Sequence, residues 1–406
     1  MRSDGERALG GLLAASHLAA MEDLPALVAE HAATMGFSGT LIYVVDLQQQ
    51  TLVPLPGQRD ATGRQPERLG VDTTLPGRAF QTVSPVYAMP GPGGGRRRLW
   101  MPLLDGTERV GVLGTDLPDE DPALAEWRAA QLAALIAVLV VSKRPHSDSY
   151  ARLVRSRPMT LSAEVMWGLL PPGTFASEGV VVSAAMEPAY EVGGDAYDYA
   201  IDGDVLHVSL FDAMGHDTAA GLTASVAMAA SRHDRRRGTG LPEVSEAVDA
   251  AIRAQFVGRY ATGLLASLDL RTGLLRWVNR GHHPPLVIRG GRRVATLETV
   301  PVPDPPMGFG LGVSRGLLRY QLEPGDRLLF YTDGIVEARS PDGEVFGLER
   351  FADFVVRHEA DGVSAPETLR RLIQAILRHQ GDRLQDDATV MTVEWYGERH
   401  RLLTLP

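Results

Sequence analysis

Apolar and polar positions alternate with a period of two through much of the second half of the chain. That pattern predicts strands over residues 180–186, 197–201, 205–211, 264–270, 275–279, 286–289, 327–331 and 389–395. Short turns at Asp202-Gly203, Arg271-Thr272-Gly273 and Gly290-Gly291 make most neighbours antiparallel. Apolar residues recurring every three or four positions predict helices over 218–230, 243–257, 348–358 and 365–380. Runs of helix between hairpins argue for an α+β layered fold and against a doubly wound parallel sheet.

The first half has its own pattern. A helix over 24–33 leads into a strand at 40–46 with a hairpin partner at 51–55, and strands at 99–104 and 109–115 flank the Asp105-Gly106 turn. A helix over 127–141 closes one α/β unit spanning 20–145, with 1–19 as an N-terminal tail. Residues 146–176 form a linker in which Leu161, Val165 and Leu169 recur every four residues before Pro171-Pro172 ends the helix. A domain at 177–397 and a tail at 398–406 complete the chain. The longest apolar run, 132–141, is half of the roughly 20 residues a membrane span requires. Asp4, Glu6, Ser16 and His17 interrupt the N-terminal Leu/Ala stretch, so neither a membrane span nor a secretory signal is expected, and the location expected is cytoplasmic.

Composition narrows the chemistry. The 406 residues are 44% apolar and 22% charged, as in ordinary globular proteins of two or three domains. There is no cysteine, which removes disulfides, thiolate metal sites and cysteine nucleophiles, so any metal sits on oxygen or imidazole. Forty basic against fifty acidic residues give a net charge of −10, which argues against a nucleic-acid partner. Lys143 is the sole lysine, an arginine bias that reads as genomic base composition.

Five aspartates fall where strands end or turns begin: Asp195 in EVGGD, Asp212 in FDAMGHD, Asp333 in FYTDG, and Asp386-Asp387 in QDDAT. The adjacent Gly193, Gly194 and Gly334 let the backbone turn sharply and aim these carboxylates. Taken singly, each aspartate is an ordinary solvated turn residue. Converging in one cleft they would repel one another, and hard divalent cations are the natural remedy.

In order along the chain, EVGGDAYDY, FDAMGHD, NRGHHPP, PPMGFG, LEPGDRLLFYTDGIVEAR, GEVFGLERF and DDAT closely resemble the SpoIIE-type branch of metal-dependent serine/threonine phosphatases, over about residues 177–397. The resemblance implies an α-β-β-α sandwich with two divalent cations, Mn2+ or Mg2+, at one end. Asp195, Asp212, Asp333 and Asp386 and the carbonyl of Ala213 would be the ligands, with Asp212 bridging both ions and Asp387 beside them. It also implies hydrolysis of phosphoserine or phosphothreonine on a regulatory protein, an anti-sigma-factor antagonist being the expected substrate. His216, four residues after Asp212, is a candidate proton donor to the leaving group, although relatives with a histidine near this motif carry it two residues after the aspartate. His282 reads as a structural hydrogen bonder.

The first unit resembles a GAF domain through GFSGTLIYVVD, LPGRAFQTVSPVY and LWMPLLDGTERVGVLGTDL, which implies a sensor whose ligand the sequence does not name. The exposed face expected on the linker helix suggests that the sensor acts through it within a homodimer. The glycine-rich GPGGGRRR lacks the lysine and the strand-to-helix context of a phosphate loop. The Asp202-Gly203-Asp204 turn matches an aspartyl-phosphate motif only superficially, and Gly193-Gly194-Asp195 lacks what a diguanylate cyclase needs after it. The remaining alternative is a phosphatase-like domain without activity, serving as a binding module in a partner switch.

Overall fold

The computed structural model describes residues 4–60, 62–89, 97–118, 121–188, 190–191, 193–298, 304–311, 316–381 and 384–397. The chain divides between Arg157 and Pro158 into two units. The GPGGG segment and the tail from 398 lie outside the described residues.

The first unit runs α1 (Asp4–Ser16), α2 (Leu24–Ala33), β1 (Ser38–Val45), β2 (Thr51–Pro54), β3 (Leu69–Gly70), α3 (Leu75–Thr82), β4 (Val86–Ala88), β5 (Arg98–Asp105), β6 (Glu108–Asp116), α4 (Pro122–Lys143) and α5 (Asp148–Leu153). Its six strands form one antiparallel sheet in the order β3-β2-β1-β6-β5-β4. Both faces are covered, and β1 shows why its apolar run is continuous. Ile42 and Val44 join Leu24, Val28, Leu132 and Ile136 of α2 and α4, while Leu41 and Tyr43 join Phe80 of α3 with Trp100 and Val112.

The stretch read as a tail is helical. Ala8 and Leu12, one turn apart on α1, are fully buried in the same cluster as Leu24 and Ile136. Gly11 lets the helix pack closely on α2, since a Cβ there would lie 2.6 Å from the His31 ring. An Ala/Gly-rich helix that buries so few large side chains leaves only a faint periodic trace in the sequence. Helix α4 is long and apolar enough to cross a membrane by length and composition alone, yet Ala125, Ala129, Leu132, Ala133, Ile136 and Val140 are packed into the core of its own unit.

The second unit continues with α6 (Leu161–Leu169), β7 (Thr174–Ser177), β8 (Val180–Glu187), β9 (Asp195–Asp202), β10 (Val205–Ala213), α7 (Thr218–Arg235), α8 (Leu241–Gln255), β11 (Ala261–Asp269), β12 (Leu274–Arg280), β13 (Leu286–Ile288), β14 (Arg293–Thr296), β15 (Leu318–Gln321), β16 (Asp326–Tyr331), α9 (Asp333–Val336), α10 (Leu348–Ala360), α11 (Ala365–His379) and β17 (Ala388–Trp395). Two antiparallel sheets result, β15-β12-β11-β10-β9 and β14-β13-β16-β17-β8-β7. Leu328, Phe330, Met391 and Val393 face the sandwich interior with Leu264, Leu268 and Tyr197. Their sequence neighbours Leu329, Tyr331, Ala388 and Val390 face Phe351, Val355, Leu372 and Ile376 of α10 and α11. Ala224, Met228, Val248 and Ile252 bring α7 and α8 onto the other sheet, completing the four-layer α-β-β-α arrangement.

The linker helix differs from expectation. Leu161 is exposed at 68%, whereas Ser162, Ala163 and Met166 are buried, with Leu169 only partly covered. Small residues set this face because α6 packs closely on α7, where a Cβ on Gly221 would come within 2.6 Å of the Ser162 Cβ. Helix α6 therefore belongs to the second unit and spends its buried face there.

Candidate metal centre

Asp195 is the first residue of β9 and Asp212 the last but one of β10, and the two are direct cross-strand partners in the five-stranded sheet. Asp333 begins α9, two residues beyond β16, and Asp386-Asp387 immediately precede β17, the partner of β16 in the other sheet. Alternate ends of antiparallel strands thus bring all five aspartates to one end of the sandwich. Contact between the sheets is direct: Asp387 Oδ2 accepts from the backbone N–H of Asp195 at 3.2 Å, and also from the amides of Gly193 and Gly194.

Two glycines make this approach sterically feasible. A Cβ on Gly194 would fall 2.0 Å from the carbonyl oxygen of Ala213, and one on Gly334 would fall 1.9 Å from that of Asp387. Each is a backbone contact that no side-chain rotation relieves. Thr332, fully buried, donates its hydroxyl to Asp195 Oδ2 at 2.7 Å and accepts from the Thr389 amide at 3.0 Å, so the start of β9 is pinned to the β16–β17 pair.

Electrostatics set this end of the molecule apart. Burial pushes Asp195 well above the usual carboxylate range, and the charges of Asp212 and Asp387 add to the effect. Burial, with Asp333, Asp386 and Asp387 nearby, raises Asp212 to about 7. Asp387 rises to about 6, again through burial, partly offset by the amides it accepts from. Asp333 is raised by burial and by Asp386 and Glu337, while His283 acts in the opposite sense. Carboxylates that elevate one another in this way form an anionic site, and among the described residues no arginine or lysine pairs with them.

The donor set fits hard divalent cations, being oxygen throughout. Asp386 is exposed and Asp212 half-buried, so the cluster opens to solvent. Among the described residues no three His, Asp or Glu side chains already close around a single point, which leaves completion of the coordination shell to backbone carbonyls and solvent. His282 is no ligand, since Nδ1 lies 3.0 Å from Thr262 Oγ1 and Nε2 lies 3.1 Å from the Tyr331 carbonyl. It holds its turn as expected, its amide donating to Asn279 Oδ1 at 2.7 Å and its carbonyl accepting from Asn279 Nδ2 at 2.9 Å.

Other acidic residues of the same motifs are structural. Asp217 caps α7 by accepting from the Ala220 amide at 2.8 Å and pairs with Arg259 at 2.7 Å. Asp198 lies buried between Arg232 at 2.6 Å and Arg235 at 2.7 Å. His216 is exposed, with its backbone against Gly193. Sequence reasoning passed over Thr332, Thr262 and His283. The threonines looked like ordinary strand formers, and His283, which stacks on Tyr331 at 5.5 Å, was overshadowed by its neighbour.

Comparison with known proteins finds similarity in the second unit. Residues 202–396 match the family model described as Stage II sporulation protein E (SpoIIE). Protein IcfG of Synechocystis is 24% identical over 242 residues, 52% of this chain and 37% of that protein. Phosphoserine phosphatase RsbU of Bacillus subtilis is 22% identical over 240 residues, 57% of this chain and 68% of that protein. Among solved structures, the RsbU and RsbW domains of a Mycobacterium tuberculosis protein are 26% identical with a TM-score of 0.46, covering 54% of this chain and 61% of that one. The matched part of this chain is thus just over a third of the Synechocystis protein and about two thirds of the Bacillus one. Over residues 202–396 the second unit is thus similar to the family described as Stage II sporulation protein E.

Proposed function

We propose that this chain is a Mn2+- or Mg2+-dependent protein serine/threonine phosphatase. The observation that carries the reading is the gathering of Asp195, Asp212, Asp333, Asp386 and Asp387 at one end of the sandwich, where burial and neighbouring carboxylates raise Asp195, Asp212, Asp333 and Asp387. Asp195, Asp212, Asp333, Asp386 and the Ala213 carbonyl would hold two cations. Such ions, when bound, activate water and neutralise charge on a phosphoryl group in line with it. The chain's own residues orient that site: Asp387 fixes the Gly193–Asp195 backbone and Thr332 fixes the Asp195 carboxylate. The half-open cleft admits a phosphoserine presented on a protein surface, and the absence of cysteine from the sequence accords with attack by water.

The substrate we propose is a phosphorylated regulatory protein of the anti-sigma-factor-antagonist kind, supported by the family resemblance and by a relative named as a phosphoserine phosphatase. The first unit is proposed to be a GAF-like sensor controlling the second, in a cytoplasmic protein. A homodimer is better supported by α4 than by α6, because Leu124, Trp127 and Val138 are exposed at helical spacing along it. The decisive test is Mn2+-dependent release of phosphate from a phosphoserine peptide. Absence of release at any divalent-cation concentration would leave the phosphatase-like binding module in its place.

A further inference from the structure

The carboxylate cluster draws on both sheets, so its geometry depends on what fixes one sheet end against the other. The five-stranded sheet supplies Asp195 and Asp212, and the six-stranded sheet supplies Asp333, Asp386 and Asp387. One imidazole spans the gap. His282 Nδ1 lies 3.0 Å from the hydroxyl of Thr262 on β11, and Thr262 is the cross-strand partner of Asp212. On its other edge His282 Nε2 lies 3.1 Å from the carbonyl of Tyr331, the residue that leads directly into Thr332 and Asp333.

A carbonyl oxygen only accepts, so Nε2 carries the ring proton and Nδ1 faces Thr262 as an acceptor. The Thr262 hydroxyl gives its one proton to Nδ1, which ties β11 beside Asp212 to the imidazole. Burial supports a neutral ring, lowering the imidazole to about 3. The Asn279 bonds on either side of the His282 backbone leave the ring little freedom to turn away.

We propose that His282 and Thr262 are positioning residues for the cation site, a strut running from the Tyr331 carbonyl through the imidazole and the Thr262 hydroxyl to β11, where Thr262 is the cross-strand partner of Asp212. This deepens the phosphatase reading and rests on the carboxylates being cation ligands. The chemistry resembles that of outer hydrogen-bond partners in metal sites, where losing one costs roughly 10–100-fold in affinity or activity. Neither residue touches the phosphoryl group in this assignment, so the effect appears first in cation binding.

The test is calorimetric titration of Mn2+ into the full chain, wild type against Thr262→Val, Thr262→Ser and His282→Gln, with the cation-free melting temperature as the folding control. Valine keeps the β-branched shape on β11 and removes only the hydroxyl. The expected result is a loss of Mn2+ affinity of about tenfold or more in Thr262→Val and His282→Gln, and recovery to within about threefold of wild type in Thr262→Ser. Should His282→Gln fail to fold, Thr262→Val and Thr262→Ser decide alone. Tight Mn2+ binding in wild type and Thr262→Val alike would overturn the strut and leave the metal centre standing. Equal losses in Thr262→Val and Thr262→Ser would also overturn it, because the hydroxyl would then not be the agent. A wild-type chain that binds no Mn2+ would overturn the metal centre and the strut together.

Discussion

Asp198 and Asp212 lie on adjacent strands of one hairpin, are both substantially buried, and have opposite surroundings. Asp198 sits between Arg232 and Arg235, each within 2.7 Å. Asp212 has Asp195 across the strand pair and three further aspartates nearby. Elsewhere in the unit the first pattern prevails, with Asp326 held by Arg289 at 2.6 Å and Glu367 by Arg370 at 2.8 Å and Arg371 at 2.7 Å. A chain with 40 basic residues has arginine available. Among the described residues no arginine pairs with the acids at that end of the sandwich, which accords with the proposed cation site, whereas acids neutralised within the chain serve the fold.

Replacing each kind of acid should therefore have opposite consequences. Asp212→Asn is expected to lower kcat/KM about a thousandfold, equivalent to about 4 kcal/mol of transition-state stabilisation. The same variant should melt higher than wild type without cations, because a repelling charge is gone. Phosphate release and thermal melting on one preparation check both statements, and a cation-free melting point below wild type would break the comparison. Asp198→Asn should do the reverse, costing about 3 kcal/mol by stranding two arginines. For a unit of this size that lowers the melting temperature by roughly 6–12 °C, while activity per folded molecule persists.

Mn2+ at a hundred times its dissociation constant should stabilise the wild-type chain by about 2.7 kcal/mol, and chelation with EDTA should reverse the shift. Asp212→Asn should show little of this stabilisation and Asp198→Asn most of it. The smallest effects test α6. Met166→Ala should cost about 2 kcal/mol as a buried truncation, whereas Leu161→Asp should stay within about 0.5 kcal/mol. Equal losses in chemical denaturation would mean that both faces of α6 are buried in solution.

Much of this was legible in the sequence. Alternation placed β8–β13, β16 and β17 to within a few residues but missed the short strands β7, β14 and β15, and at β16 and β17 the apolar run is continuous because one face meets the sandwich and the other meets the helices. The aspartates stood out through their glycine neighbours, whose need becomes plain in the contacts of Gly194 and Gly334. Less visible were features built from small or ordinary residues. Helix α1 joins the core through Ala8 and Leu12, and α6 through Ser162, Ala163 and Met166, so a search for spaced large side chains favoured Leu161 instead. Thr262 and Thr332 are unremarkable until their partners come within hydrogen-bonding reach, 20 residues away for Thr262 and 57 or more for Thr332, relations that no local pattern encodes.

The repulsive aspartate cluster also bears on how such a domain changes over generations. Most substitutions destabilise a protein, and selection removes those that fall below the stability required for function. Here a single acid-to-amide change in the cleft should make the fold more robust and silence its chemistry, while leaving the sandwich intact to bind whatever the enzyme once bound. When demand for catalysis relaxes, drift therefore runs downhill toward a stable, non-hydrolysing descendant that keeps the sandwich. Catalytically silent descendants are in this sense the expected by-product of a site built from unneutralised charge.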